Sequence, residues 1–207
     1  MTADILAALP VRRGHFLLES GYHTDLWFTL DALFVNPLSV EPLIAALADR
    51  LRRHEISAVC GPVLGGAFLA QSIATTLGVG FYYSESRPAP ASAGLFTTEY
   101  QLPPELRRRV RGQRVAVVDD IISAGSSVRA TVAALTVAGA STAVVAALVV
   151  LGDAAVVYFA DQGVPVETLQ QREFVLWQPS DCPLCRAGIA LEDPREPVST
   201  AEPVRRI

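Results

Sequence analysis

The 207-residue chain contains no lysine; all 17 of its basic side chains are arginine. Schiff-base chemistry on a lysine and a lysine-bearing Walker phosphate loop are therefore excluded. Cysteine is scarce as well. Three cysteines, an odd number, make no disulfide framework, so the chain reads as a reduced, cytoplasmic protein. Long apolar runs are missing: the longest, Ala143–Leu151, is far short of the ~20 residues that a membrane-spanning helix needs, and the N-terminus has no signal-type apolar core. Positive charge is not in excess either. A net charge of −4 and a pI near 5.4 argue against a nucleic-acid partner, which would need a basic footprint.

What the chain does have is concentrated at residues 114–128. A β-branched run (Val115, Val117, Val118) stops at two adjacent carboxylates, Asp119 and Asp120, and meets the small-residue turn Ser123-Ala124-Gly125-Ser126-Ser127. Val128, Val132 and Leu135 then recur at helical spacing, so the stretch reads as strand, loop, helix. A tight loop of Gly, Ala and Ser lets backbone N–H groups converge on one point, and the helix N-terminus adds partial positive charge. Such a loop cradles phosphate. Two carboxylates beside it would repel the phosphate unless they face ribose hydroxyls or a magnesium-bound sugar. Together, the acids and the cradle point to a sugar phosphate.

The same alternation recurs upstream. Strand Ala58-Val59-Cys60 enters Gly61-Pro62-Val63-Leu64-Gly65-Gly66, and Phe68, Leu69, Ile73 and Leu77 continue as a helix ending near Gly78. This turn is a second candidate anion site or simply a tight connection. A helix is expected over residues 40–54, with Leu43, Ile44, Leu47 and Leu51 on one face and an Asp49–Arg53 pair on the wet side. Further elements expected are a short helix over 2–9, strands at 79–83, 143–151, 166–169 and 174–177, and helices at 128–138 and 154–162. Residues 87–104 read as a long loop of functional type. Arg107, Arg108, Arg109, Arg111 and Arg114 form either a solvated basic face or an attractor for pyrophosphate across a dimer. Strands alternating with helices indicate an α/β fold with a mostly parallel sheet flanked by helices, its ligands at the carboxyl ends of the strands.

Val117–Ser127 resembles the phosphoribosyl-pyrophosphate (PRPP) motif of type I phosphoribosyltransferases, matching in residue type throughout. Phe16, Leu18, Ser20, Gly21, Thr24, Trp27, Phe28 and Asp31 are similar to the N-terminal hood of the orotate branch. The resemblance implies the type I fold with a small hood, in which Asp119 and Asp120 hold the ribose and residues 123–127 hold the 5′-phosphate. It implies pyrophosphate on Pro62, Val63, Leu64, Gly65, Gly66 and Arg87, and the base near Phe28. It further implies Mg2+ accompanying PRPP, a nitrogenous base as the other substrate, and a homodimer. The division expected is hood 1–38, α/β core 39–180 and tail 181–207. Lysine positions of the orotate branch are filled otherwise here: Glu19 precedes the hood Ser-Gly, and the loop after residue 87 carries only Arg87. A PRPP-sensing protein with little catalysis, or an enzyme for a purine or another base, stands as the alternative.

Cys182-Pro183-Leu184-Cys185 is a Cys-x-x-Cys knuckle, half of a tetrahedral zinc site. The expectation favours a reduced structural turn, with Cys182 and Cys185 as weak metal candidates that a second subunit or histidines would have to complete.

Overall fold

Along the strand β6 (Arg114–Ile122), Val115 and Val117 enter one hydrophobic layer while Ala116 and Val118 enter another. A strand covered on both faces must be apolar on both, and this one is central. The computed structural model describes residues 5, 10–29, 31–87 and 94–194. Within them a hairpin of β1 (Val11–Leu17) and β2 (His23–Phe28) precedes α1 (Pro37–Leu51), β3 (Ala58–Pro62), α2 (Gly65–Leu77), β4 (Gly80–Arg87) and β5 (Glu99–Gln101). After α3 (Pro104–Arg109) and β6 come α4 (Ser126–Val137), β7 (Ser141–Leu151), α5 (Ala154–Ala160), β8 (Val166–Arg172) and the short α6 (Pro183–Arg186).

The main sheet has the order β5-β4-β3-β6-β7-β8, parallel throughout except for the antiparallel edge strand β5. Helices α1 and α2 cover one face through Ile44, Leu47, Leu51, Leu69 and Ile73. The other face lies under α4 and α5 through Val128, Leu135 and Phe159. From β3 the chain moves outward to β4, then returns to lay β6 on the opposite side of β3. The strand order therefore reverses between β3 and β6, and a crevice opens beyond their carboxyl ends.

Local chemistry sets most element ends. Asn36 caps α1 by accepting from the Leu38 N–H at 3.2 Å, with Pro37 in the first turn, so the helix begins three residues earlier than its apolar periodicity announces. Gly78, at φ +68°, closes α2. Three expectations are corrected. Asp49 pairs with Arg52 at 3.3 Å rather than with Arg53, because the chain tightens to a 3-10 turn over Arg52–His54 and Arg53 turns to Glu167. Residues 174–177 form no strand; β8 is the sheet edge, and only Trp177 pairs, as a bridge to His23 of the hairpin. Part of the expected loop 87–104 is ordered as β5, too short to show alternation. The proposed helix over 2–9 lies outside the described residues apart from Ile5, which is buried and donates its N–H to Gln170 Oε1 at 2.8 Å. No helix among the described residues is long and apolar enough to cross a membrane.

Glu167 joins the 3-10 turn after α1 to β8. It accepts hydrogen bonds from Arg53 and from His54 Nε2, the latter at 3.0 Å. Burial alone would raise its pKa, but these donors and their charges outweigh burial and hold it below the usual glutamate value. A carboxyl depressed in the folded state stabilises above its unfolded pKa and loses that contribution as pH falls through the folded one. Glu167→Gln should therefore cost about 1 kcal/mol at neutral pH, the Arg53 end being open to solvent. The gap from wild type should close as pH drops below about 4.3; urea midpoints at pH 7 and pH 3 check it, and an unchanged gap would refute the assignment.

Candidate active site

Two strand-to-helix turns meet in the crevice: residues 62–66 after β3 and residues 119–127 at the end of β6. Their contact is unusually close. A β-carbon added to Gly65 would stand 2.1 Å from Asp120 Oδ2, and one added to Gly66 would stand 2.8 Å from Asp119 Oδ1 and 2.7 Å from Pro62 Cδ. One on Gly61 would strike the Gly66 carbonyl at 2.0 Å. The glycines thus make a seat in which both carboxylates rest against the first turn of α2, where the helix end favours negative charge.

Asp119 is held from the other side by α4. Its Oδ2 accepts from the Ser127 hydroxyl at 2.8 Å and its Oδ1 accepts from the Asp120 N–H at 3.0 Å. Asp120 Oδ1 accepts from the Ile121 N–H at 2.7 Å. Burial, and then the neighbouring Asp120 charge, push the Asp119 carboxyl well above the usual aspartate range against the two hydrogen bonds that favour its charge. Two acids so placed favour a ligand that brings hydroxyl donors or positive charge.

The loop that follows ends in Gly125 at φ +83°, a left-handed residue from which α4 starts at Ser126. Ala124 is buried, anchoring the turn from beneath. Ser123, Gly125, Ser126 and Ser127 line a cavity of about 190 Å³, closed opposite by Leu18, Glu19, Ser20 and Trp27 of the hairpin. Unsatisfied N–H groups of a first helical turn, flanked by hydroxyls, suit a phosphate there. Phe28 tilts against Phe174 with ring centroids 6.4 Å apart, and both line a smaller cavity of about 90 Å³ with Trp27, Ile121 and Ser123. Arg87, exposed, ends β4 opposite Glu99 in the β4–β5 register, on the carboxyl side of the sheet where both turns lie.

Glu19 meets a partner that its sequence position does not reveal, accepting from the Tyr100 hydroxyl at 3.0 Å. The Ser20 carbonyl accepts from the Phe96 N–H at 2.9 Å, so the hairpin tip is tied to the chain leading into β5. Arg129 clamps the same segment from α4, its guanidinium 4.1 Å from the Phe96 ring centroid and 3.7 Å from that of Tyr158. Behind the loop, Thr131 donates to the Ser127 carbonyl at 2.8 Å; its single proton being used, Ser84 donates to Thr131 Oγ1 at 2.7 Å. Sequence reasoning missed Arg129, Ser84 and Thr131. Only Thr131, one helical turn after Ser127, carried a periodic signal. The basic cluster is occupied elsewhere: Arg108 and Arg109 pair with Glu105, and Arg114 donates to the His54 and Glu55 carbonyls at the start of β6, the end remote from Asp119. Cys182 and Cys185 lie at the foot of the hairpin, beside His15 and His23.

A phosphoribosyl transferase domain model matches residues 31–180. The chain is 34% identical over 202 residues to an orotate phosphoribosyltransferase of Pelotomaculum thermopropionicum, covering 94% of this chain and 97% of that protein. It is 30% identical over 187 residues to the orotate phosphoribosyltransferase of Caldanaerobacter subterraneus, with 89% and 90% covered. Among solved structures, orotate phosphoribosyltransferase from Aeropyrum pernix superimposes with a TM-score of 0.59 at 25% identity, over 78% of this chain and 87% of that one. Adenine phosphoribosyltransferase from Trypanosoma brucei shares the fold, with a TM-score of 0.63 at 18% identity over 80% and 76%.

The raised Asp119 carboxyl has a consequence for stability. A carboxyl whose folded pKa exceeds its unfolded value stabilises fully at low pH and loses that contribution as pH rises through the folded pKa. Asp119→Asn imitates the protonated form, and Ser127 can rotate to accept from the new amide. The variant should melt close to wild type near pH 4, an acidity about that of the free carboxyl, and above it at pH 8. Thermal melts check this; a lower melting temperature for the variant at pH 8 would refute it.

Proposed function

The chain belongs to the phosphoribosyl transferase family, and from that premise we propose that it transfers the ribose-5-phosphate unit of PRPP to orotate with release of pyrophosphate. The observation that carries the reading is the seating of Asp119 and Asp120 on Gly65 and Gly66, because it brings a phosphate loop, a carboxylate pair and a second amide-rich turn into one crevice. The 5′-phosphate binds the Ser123–Ser127 backbone and hydroxyls. Asp119 and Asp120 accept from the ribose hydroxyls. Pro62, Val63, Leu64, Gly65 and Gly66 receive the pyrophosphate, with Arg87 as its cation. The base lies under the hairpin against Trp27 and Phe28.

As the bond from the anomeric carbon to pyrophosphate lengthens, positive charge develops on the ribose and negative charge on the leaving group. Fixed carboxylates beneath the first and fixed donors around the second stabilise that separation without reorganising. The hard carboxylate oxygens of Asp119 and Asp120 would suit a Mg2+ ion bound with PRPP, which would supply neutralisation of the pyrophosphate charge. The hairpin excludes water, which would otherwise compete with the base. Glu19, engaged by Tyr100, takes the place that lysine has in other orotate enzymes, so Arg87 carries more of the charge on the pyrophosphate side.

A homodimer is the working form. Leu38, Leu64 and Phe68 are 77%, 64% and 52% exposed, and Phe34 packs on Phe68, leaving an apolar patch beside the 62–66 turn that a second copy would cover. Cysteines without disulfides support a cytoplasmic setting for the reaction.

Pyrophosphate release from PRPP and Mg2+ should be fast with orotate and slow with uracil, adenine or guanine. Replacing Asp119 and Asp120 together by Asn should abolish it with the fold intact by circular dichroism. Arg87→Ala should lower kcat/KM for PRPP about tenfold to a hundredfold. Release with a purine instead would move the acceptor; release that survives the double substitution would overturn the mechanism.

A further inference from the structure

Two of the three histidines and two of the three cysteines, from opposite ends of the chain, meet at one point. The ligand atoms of His15, His23, Cys182 and Cys185 all lie within 4.8 Å of one another. His15 Nε2 is 3.0 Å from His23 Nδ1, 3.3 Å from Cys182 Sγ and 3.6 Å from Cys185 Sγ, and Cys185 Sγ is 3.3 Å from His23 Nδ1. We propose that these four residues form a closed, structural zinc site that staples the hairpin to the C-terminal segment.

The geometry matches the metal. With Zn–N near 2.05 Å and Zn–S near 2.3 Å, the edges of a tetrahedron run from about 3.3 to 3.8 Å, the range into which these contacts fall to within a few tenths of an ångström. The imidazole is oriented for it: His15 Nδ1 lies 2.8 Å from the Ile189 carbonyl, to which it donates, leaving the Nε2 lone pair aimed into the cluster. His15, His23 and Cys182 are 1%, 4% and 0% exposed, a polar group of a kind that interiors hold only when paired. Two thiolates and two neutral imidazoles around Zn2+ sum to zero charge, which lowers the cost of burial. An S2N2 tetrahedral set selects zinc over harder divalent ions. Four protein ligands leave no open position, so the site holds structure and performs no Lewis-acid chemistry.

The backbone is built for the same purpose. The β1–β2 register shifts between Arg13 and Phe16, and this irregularity brackets His15, turning it to the side of His23. On the other partner, Pro183 opens the α6 turn, Gly188 N–H donates to the Cys185 carbonyl at 3.0 Å, and Gly188 sits at φ +68°, folding Cys-x-x-Cys into a knuckle. Main-chain bonds already zip the two segments together: Leu17 to Glu192, Glu192 to His15, and His23 with Trp177 in both directions. The remaining cysteine and histidine are committed elsewhere. Burial in the core pushes the Cys60 thiol up to about 12, and His54 holds Glu167.

The two histidine ligands bracket the hairpin tip, residues 16–22, which carries Leu18, Glu19 and Ser20 over the phosphate cavity. Zinc would therefore set the position of the tip without touching a substrate. That consequence rests on the function proposed above, whereas the metal site does not.

The test is metal analysis of the full-length protein, purified under reducing conditions from zinc- and iron-supplemented cells. About one zinc per chain is expected, with Cys60→Ala unchanged and Cys182→Ser or Cys185→Ser reduced at least about tenfold. Cobalt exchanged into the wild type should give the intense visible absorption of a tetrahedral thiolate centre. Wild type is informative even where a variant fails to fold. Metal-free protein, iron in place of zinc, a Cys182–Cys185 disulfide, or an octahedral cobalt spectrum would each overturn the proposal. All of these readouts are independent of turnover.

Discussion

The contact on which the rest of the site depends is that of two carboxylates pressed against a helix start that has no side chains there. Asp119 and Asp120 approach Gly65 and Gly66 more closely than any β-carbon permits, so both turns close on one narrow crevice between β3 and β6. Because successive residues of a strand face opposite ways, two adjacent acids can serve two helices: Asp119 is bonded by Ser127 of α4, and Asp120 lies on Gly65 of α2. The cost is electrostatic. Burial and the neighbouring Asp120 charge raise the Asp119 carboxyl well above the usual aspartate range, a cost that hydroxyl donors or positive charge would offset.

Around this contact the fold adds a cover assembled from three distant pieces. The hairpin tip gives Ser20 and Glu19 to the segment entering β5, and Arg129 of α4 grips Phe96 in the same segment between aromatic faces. Below, the Ser84 and Thr131 hydroxyls, the latter donating to the Ser127 carbonyl, couple β4 to the first turn of α4. Without lysine, arginine supplies every such cationic grip. Its planar guanidinium stacks where an ammonium would not, as Arg129 does.

At residues 114–128 almost everything was legible, since strand, turn and helix are each signalled by residues adjacent in sequence and the chemistry of the acids and the small-residue turn is local. The helices α1, α2 and α4 were legible for the same reason, through their periodicity. Harder to read were elements defined by a neighbour: β5, whose three residues are a strand only because β4 offers its edge, and residues 174–177, which make one bridge to the hairpin instead of joining the sheet. Helix spacing pairs Asp49 with Arg53, but α1 tightens before Arg53, and Asp49 meets Arg52 instead.

The sequence by itself determined the layered α/β scheme, the small-residue turn after β6, the paired acids and the half-motif Cys-x-x-Cys, all of them properties of spacing along the chain. Only the tertiary structure decided that Gly65 and Gly66 seat those acids, that Tyr100 takes the Glu19 carboxylate, and that His15 and His23 stand beside Cys182 and Cys185. Each of those is a contact between residues tens to more than a hundred positions apart. Periodicity carries no information about such pairs, because their distance is set by how the sheet orders its strands and where the hairpin docks.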